Sequence, residues 1–214
     1  MSLNKMKEEY NKDYFKKGIK KKVSCYENYS WIPTRTLETA SELIRRANIK
    51  KKDQILDYGC AFGFLVKSFR WLGYSAYGYE TSNYALKNVD KEVKDVVWEH
   101  LPFIEKDNPI FDVIICKDVA EHIMPDYRLK LFLKEIYNHT IKKAIFIIPL
   151  GDGKKYNIPR FELDKTHKIR QTKQWWKKKI ESVGFKVKVM NDNMDKLKPN
   201  WNVPNGNVYI EAIK

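Results

Sequence analysis

The sequence is short of the features that mark membranes, export and disulfide scaffolds. No stretch of ~18 apolar residues occurs in its 214 positions, which excludes a membrane-spanning helix. The opening MSLNKMKEEY has no apolar core and does not read as a secretory signal. Only three cysteines occur, Cys25, Cys60 and Cys116, an odd and scattered set without a C-x-x-C pair. That pattern argues for free thiols in a reducing, cytoplasmic setting and against a cysteine-built zinc site, so no metal is expected. Glycine is sparse at 9 residues, and there is no internal repeat or low-complexity tract.

What is present is a globular composition, 43% hydrophobic and 14% aromatic, at a length suited to one domain. The formal net charge is +14. Such a balance admits nucleic acid, an anionic surface or an acidic substrate as partner. Lysine supplies most of it, however, and arginine is the better residue for forked contacts to phosphates and bases. The lysine runs at 20–22, 50–52 and 177–179 fall in three separate segments, and the last lies opposite the apolar stripe of its helix. A solvated lysine-rich surface is therefore preferred.

Residues 1–30 read as a charged, aromatic arm that packs on the rest through Tyr10, Tyr14, Phe15, Tyr26 and Tyr29. The remaining chain, 31–214, reads as a single domain. A helix starts near Pro33 and places Leu37, Ala40, Leu43, Ile44 and Ala47 at helical spacing. Strand and helix signals then alternate. QILDYG is a strand. Residues 63–72 form a helix with Leu65, Phe69 and Leu72 inward and Lys67 and Arg70 opposite. YSAYGYE is the second strand and 82–89 a helix. DVVW is a weak third strand and FDVIIC a strong fourth. Residues 127–137 form a helix, KAIFIIP the fifth strand and 172–183 the last helix. FKVKVM and NVYIEAI follow as the sixth and seventh strands. This order predicts an α/β fold: a Rossmann-like, mostly parallel seven-stranded sheet with an antiparallel last strand and helices on both faces. The segment 149–170, after the fifth strand, is long enough to read as a substrate-covering loop.

The turn LDYGCAFGF carries the chemistry. Ligands of open parallel sheets bind at the carboxyl ends of the strands. Glycines at the first such turn allow positive φ and close backbone approach, and the following helix offers free N–H groups. The D-x-G-x-x-x-G spacing departs from the G-x-G-x-x-G of dinucleotide sites. Asp57 at the strand end is also wrong for a pyrophosphate and right for a cationic ligand.

ILDYGCAFGFL resembles the first motif of the class I S-adenosylmethionine-dependent methyltransferases, and the similarity continues in order. GYE places Glu80 at the family's ribose-binding position, close to the ~20-residue offset of ribose-binding acids. LPF at 101–103 and FDVIICKDVAEHI at 111–123 resemble the fourth-strand motif, with Ala120 where leucine is usual. The resemblance covers about residues 26–185 and implies S-adenosylmethionine as methyl donor and S-adenosylhomocysteine as product. It implies cofactor contacts from Asp57, Gly59, Cys60, Ala61, Gly63, Glu80 and Thr81, from Lys117 and Asp118 at the fourth strand, and from Tyr26, with Asn28 and Tyr29 beside it in the arm. Trp98 and Glu99 stand where adenine rests; Trp98 is equally readable as a core tryptophan. Asp57 is also readable as a brace of the loop, and Cys60 as a small filler.

A hydroxyl acceptor must lose a proton, a task suited to histidine. His167, with Asp164 as orienting partner, and His122 are the candidate bases, with Asp118 near the substrate mouth; a reaction without a dedicated base is the alternative. D-x-T-H at 164–167 is similar to methyltransferases of sugar and surface-glycan pathways. The favoured acceptor is a small molecule such as a sugar or nucleotide-sugar. RNA or DNA is the alternative, though no D/N-P-P-Y follows the fourth strand, and a non-catalytic cofactor-binding module is the third reading. A monomer or homodimer is expected, without membrane association.

Overall fold

In a computed structural model, described over residues 8–102 and 110–214, seven strands form one sheet in the order β3-β2-β1-β4-β5-β7-β6. The strands are β1 (Gln54–Tyr58), β2 (Ser75–Tyr79), β3 (Val97–Trp98), β4 (Phe111–Lys117), β5 (Thr140–Pro149), β6 (Lys186–Asn191) and β7 (Asn207–Ile213). β1 to β5 pair in parallel, while β7 runs antiparallel between β5 and β6. The expected sheet, with its antiparallel last strand, is what forms.

The helices are α1 (Lys12–Lys21), α2 (Pro33–Arg46), α3 (Phe64–Trp71), α4 (Asn83–Lys87), α5 (Asp126–His139) and α6 (Lys173–Glu181). Strict side-chain alternation in the central strands feeds two cores. Leu56, Ile114, Phe146 and Ile210 face α5 and α6, against Leu129, Leu133, Trp176 and Ile180. Ile55, Ile115, Ile147 and Tyr209 face the other way, against Leu43 of α2 and Val66 and Phe69 of α3. The continuous apolar run of β5 is thus explained by burial on both faces.

Three local readings are corrected. The third strand is only Val97–Trp98, because Lys94–Val96 closes a 3₁₀ turn ahead of it. Lys67 is not on a solvated face: its side chain is buried, and its ammonium meets Asp90 at 3.0 Å and Glu92 at 2.7 Å. The described part of the arm contains a helix, α1, that composition alone did not suggest. Asn11 caps it by accepting from the N–H groups of Asp13 and Tyr14. Tyr14 and Phe15 are buried in a cluster with Phe62, Phe64 and Ala85, and the Phe15 and Phe62 rings lie 4.9 Å apart. The arm thereby covers the side of the glycine turn. Phe103 of the LPF motif and Pro109, expected to bound β4, lie outside the described residues.

Candidate active site

After β1 the chain moves to β2 and β3 on one side and then returns to β4 on the other, so a crevice opens where β1 and β4 end. Asp57 stands at the end of β1, and Lys117 and Asp118 stand at the end of β4. A cavity of about 660 Å³ opens there, within the size range of small-molecule sites. Its wall runs from Asp57, Gly59, Cys60 and Ala61 to Lys117, Asp118, His122 and His167, with Tyr26 and Tyr29 of the arm on the facing side.

The glycine turn has the backbone that its sequence demanded. Gly59 has φ +82°, and a Cβ there would come within 2.5 Å of Val119 Cγ2. Gly63, with φ +77°, caps α3. The Gly59 and Cys60 N–H groups both donate to the Tyr79 carbonyl, which ties the turn to β2. Glu80 completes the fastening: Ala61 N–H donates to one carboxylate oxygen at 2.8 Å, and the Thr81 and Ser82 N–H groups donate to the other at 2.7 Å each. Burial raises the Glu80 pKa above the usual carboxylate value, and these amides offset part of the rise. Burial likewise pushes Asp57 up to about 7; Lys117 draws it down and Glu80 pushes it further up.

At the end of β4, Asp118 takes φ 57°, a left-handed conformation uncommon for a residue with a side chain. Its carboxylate accepts from Lys117 at 2.7 Å and from Lys198 at 2.6 Å. Burial opposes its ionisation, but the two ammonium groups prevail and hold its pKa well below normal. Lys198 also donates to Asn207 Oδ1 at 2.7 Å and sits over the Phe161 ring. Reading the sequence in order could not single out Lys198, because it lies in a loop 80 positions from Asp118.

The two candidate histidines come together. His122 follows β4 in the short 3₁₀ turn Ala120–His122, and His167 comes from the long loop after β5; their rings are 4.8 Å apart. The loop is held there by the Lys168 and Ile169 N–H groups, which donate to the Glu121 carbonyl at 2.9 and 3.0 Å. Asp164 accepts from Tyr14 Oη of the arm at 3.0 Å, from Thr166 Oγ1 at 2.5 Å and from Thr166 N at 2.9 Å. His122 Nδ1 lies 2.9 Å from Thr166 Oγ1. The single Thr166 hydroxyl proton goes to the Asp164 carboxylate, which only accepts, so His122 Nδ1–H donates to Thr166 and Nε2 keeps its lone pair. Burial lowers the pKa of His122 and brings His167 down to about 4, with His122 as the next contribution. Both rings are therefore neutral near pH 7.

Other expected contacts fall outside the described cavity wall. Gly63, Glu80, Thr81, Trp98 and Glu99 do not line it. Trp98 stacks on Tyr77 at 5.1 Å, interplanar angle 20°, which occupies one face of its indole. Tyr156, in the loop after β5, is buried with its hydroxyl donating to the Ile169 carbonyl at 2.8 Å. Among the described residues no helix is long and apolar enough to cross a membrane.

The family model for a methyltransferase domain matches residues 33–181. No curated protein shows significant sequence similarity to the chain. Among solved structures, a S-adenosylmethionine-dependent methyltransferase from Archaeoglobus fulgidus superposes with TM-score 0.62 at 20% identity, over 84% of this chain and 94% of that one. Magnesium protoporphyrin IX methyltransferase from Synechocystis PCC 6803 gives TM-score 0.57 at 14% identity, over 85% and 79%. The 1,6-didemethyltoxoflavin-N1-methyltransferase of Burkholderia thailandensis gives 0.58 at 11%, again over 85% and 79%. These likenesses establish the fold, and the model match covers most of the length. The chain belongs to the methyltransferase domain family.

Proposed function

We propose that this chain transfers the methyl group of S-adenosylmethionine to an oxygen of a small molecule, a sugar or nucleotide-sugar, leaving S-adenosylhomocysteine. The observation that carries the reading is the cavity wall, which joins the glycine turn to Asp118, His122 and His167 in one continuous surface. The turn fits the cofactor: positive φ at Gly59 and Gly63 shapes a backbone that lines the cavity at 59–61, and Asp57 is a buried carboxylate whose ionisation a nearby cation would favour. Asp57 and the 59–61 backbone would hold the methionine end. Glu80, which braces the turn from outside the cavity wall and keeps lone pairs beside its three amide bonds, would meet the ribose.

The bound sulfonium supplies an activated methyl group, so the protein's own task is placement and proton removal. Transfer breaks the sulfur–methyl bond and forms an oxygen–methyl bond, and the hydroxyl proton must leave. His167 and His122 are neutral and face the cavity, which suits them to accept it. The acceptor class is supported by the rim. Arg35 and Arg160 line the cavity, and the Arg160 guanidinium lies 5.5 Å from the Trp201 ring. Guanidinium forks match phosphate oxygens.

Calorimetry with S-adenosylhomocysteine, followed by a methyl-transfer panel read by mass spectrometry, tests this. The expected result is one cofactor per chain and a 14-dalton gain on a sugar or nucleotide-sugar (~14, the mass of the added CH₂). Absence of cofactor binding would sink the reading. Binding without turnover on any acceptor would favour a non-catalytic module, and methylated RNA would favour the nucleic-acid alternative.

A further inference from the structure

Glu121 lies between Ala120 and His122 in the 3₁₀ turn after β4. Its side chain is fully buried, and neither carboxylate oxygen has a hydrogen-bond partner. Oε1 lies 3.9 Å from His122 Nε2 and 3.9 Å from His167 Nε2, too far for a hydrogen bond to either. His167 Nδ1 is also buried and unpartnered. Buried polar atoms are nearly always paired, so a buried carboxylate that stands near two imidazole nitrogens and bonds neither calls for a ligand. One donor atom from each of Glu121, His122 and His167 can be chosen so that all lie within 4.8 Å of one another.

We propose that Glu121, His122 and His167 bind a divalent transition-metal ion, of the zinc, manganese or cobalt class, at the cavity wall. Two imidazoles and one carboxylate are the donor set such ions prefer, whereas magnesium and calcium favour oxygen alone. Bonds of about 2.0–2.1 Å in tetrahedral geometry set donors ~3.4 Å apart, so the two 3.9 Å separations need to close by about half an ångström and the third, within 4.8 Å, by up to about 1.4 Å. The second set of contacts is the kind that orients a metal ligand. His122 Nδ1–H is held by Thr166, which is held in turn by Asp164, and this aims the Nε2 lone pair at Glu121. Asp164 Oδ2 stands 3.8 Å from His167 Nε2 and adds negative charge beside the cluster.

Three protein ligands leave positions open, and His122 and His167 face the cavity. Resting on the methyltransferase reading, the ion would sit where an acceptor hydroxyl arrives and would make its proton easier to lose. The cysteine count gave no hint of this, because the ligands are histidines and a glutamate brought together from positions 121, 122 and 167.

The test uses the untagged full chain, stripped with chelator and titrated with Co²⁺ while its visible ligand-field absorption is followed. One equivalent should bind, Zn²⁺ should displace it, and Mg²⁺ in excess should not. His167→Ala and Glu121→Gln should abolish the saturable signal. Thr166→Val, which leaves all three ligands in place, should weaken Co²⁺ binding by about 10- to 100-fold. Circular dichroism identifies any variant that fails to fold, and Thr166→Val then decides alone. No saturable binding by the parent chain, or binding unchanged in the folded variants, overturns the proposal. Calorimetry with S-adenosylhomocysteine on the same preparation separates the two readings: cofactor binding without Co²⁺ binding defeats the metal site alone, and the reverse defeats the methyltransferase reading alone.

Discussion

Replacing Glu80 by glutamine separates two jobs that one carboxylate can hold, bracing the glycine turn and meeting the cofactor. In the folded chain three backbone N–H groups converge on it, from Ala61, Thr81 and Ser82. A glutamine carbonyl can keep the Thr81 and Ser82 bonds, but its NH₂ then faces the Ala61 N–H, donor against donor. One charge-assisted bond, of about 1.5–3 kcal/mol, is lost, and the Ala61 amide is left unsatisfied in a part-buried place. Against this stands a gain, because the carboxylate's burial already raises its pKa and a neutral amide escapes that cost. The balance is a destabilisation of about 2–4 kcal/mol, or roughly 4–16 °C in Tm for a chain of this size. The assay is thermal melting of the ligand-free protein by circular dichroism, alongside calorimetry with S-adenosylhomocysteine. Both should weaken. A Tm within about 2 °C of the parent, with cofactor affinity still lost, would falsify the brace and leave only the ligand contact.

Other tests follow from the same geometry. Asp57 titrates at about 7 in the folded chain, against ~3.9 when unfolded. A raised folded pKa stabilises below the unfolded value, and that contribution fades as pH rises to about 7. Urea titrations should show this decline, and Asp57→Asn should flatten it. For the same reason S-adenosylmethionine should bind more tightly as pH rises from about 5 to about 7, with release of a proton; affinity independent of pH would contradict the assignment. Lys198→Met leaves Asn207 Oδ1 without its ammonium and Asp118 with Lys117 alone, so chemical denaturation should show a loss of about 3 kcal/mol. An unchanged midpoint would mean that Lys117 suffices. Phe15→Ala empties the centre of the arm's aromatic cluster, and about 3 kcal/mol is enough to free the arm locally. Limited proteolysis should then cut near the lysine run at 20–22 well before the sheet unfolds; equal resistance in variant and parent would refute this.

The fold was legible because its signals are local. Continuous apolar strands such as FDVIIC and KAIFIIP, separated by helical spacing, admit little besides a doubly covered parallel sheet. The glycine turn was legible for a related reason: positive φ at Gly59 and Gly63 is a property of the residue itself. Where a long-range partner decided the outcome, local reading failed. Lys67 reads as surface from its helical position, yet Asp90 and Glu92 make its burial tolerable. Lys198 lies 80 positions from the carboxylate it meets, Asp118, so no local pattern announces the pair.

By itself the sequence determined the sheet, its helices and the place where a ligand enters, since hydrophobic period and glycine freedom act over a few residues. Only the tertiary structure decided what surrounds that place. It set His167 against His122, left Glu121 between them without a bond, and brought Lys198 to Asp118. Those encounters depend on how a long loop closes over the sheet, and no spacing along the chain encodes the distance between side chains that meet only when it does.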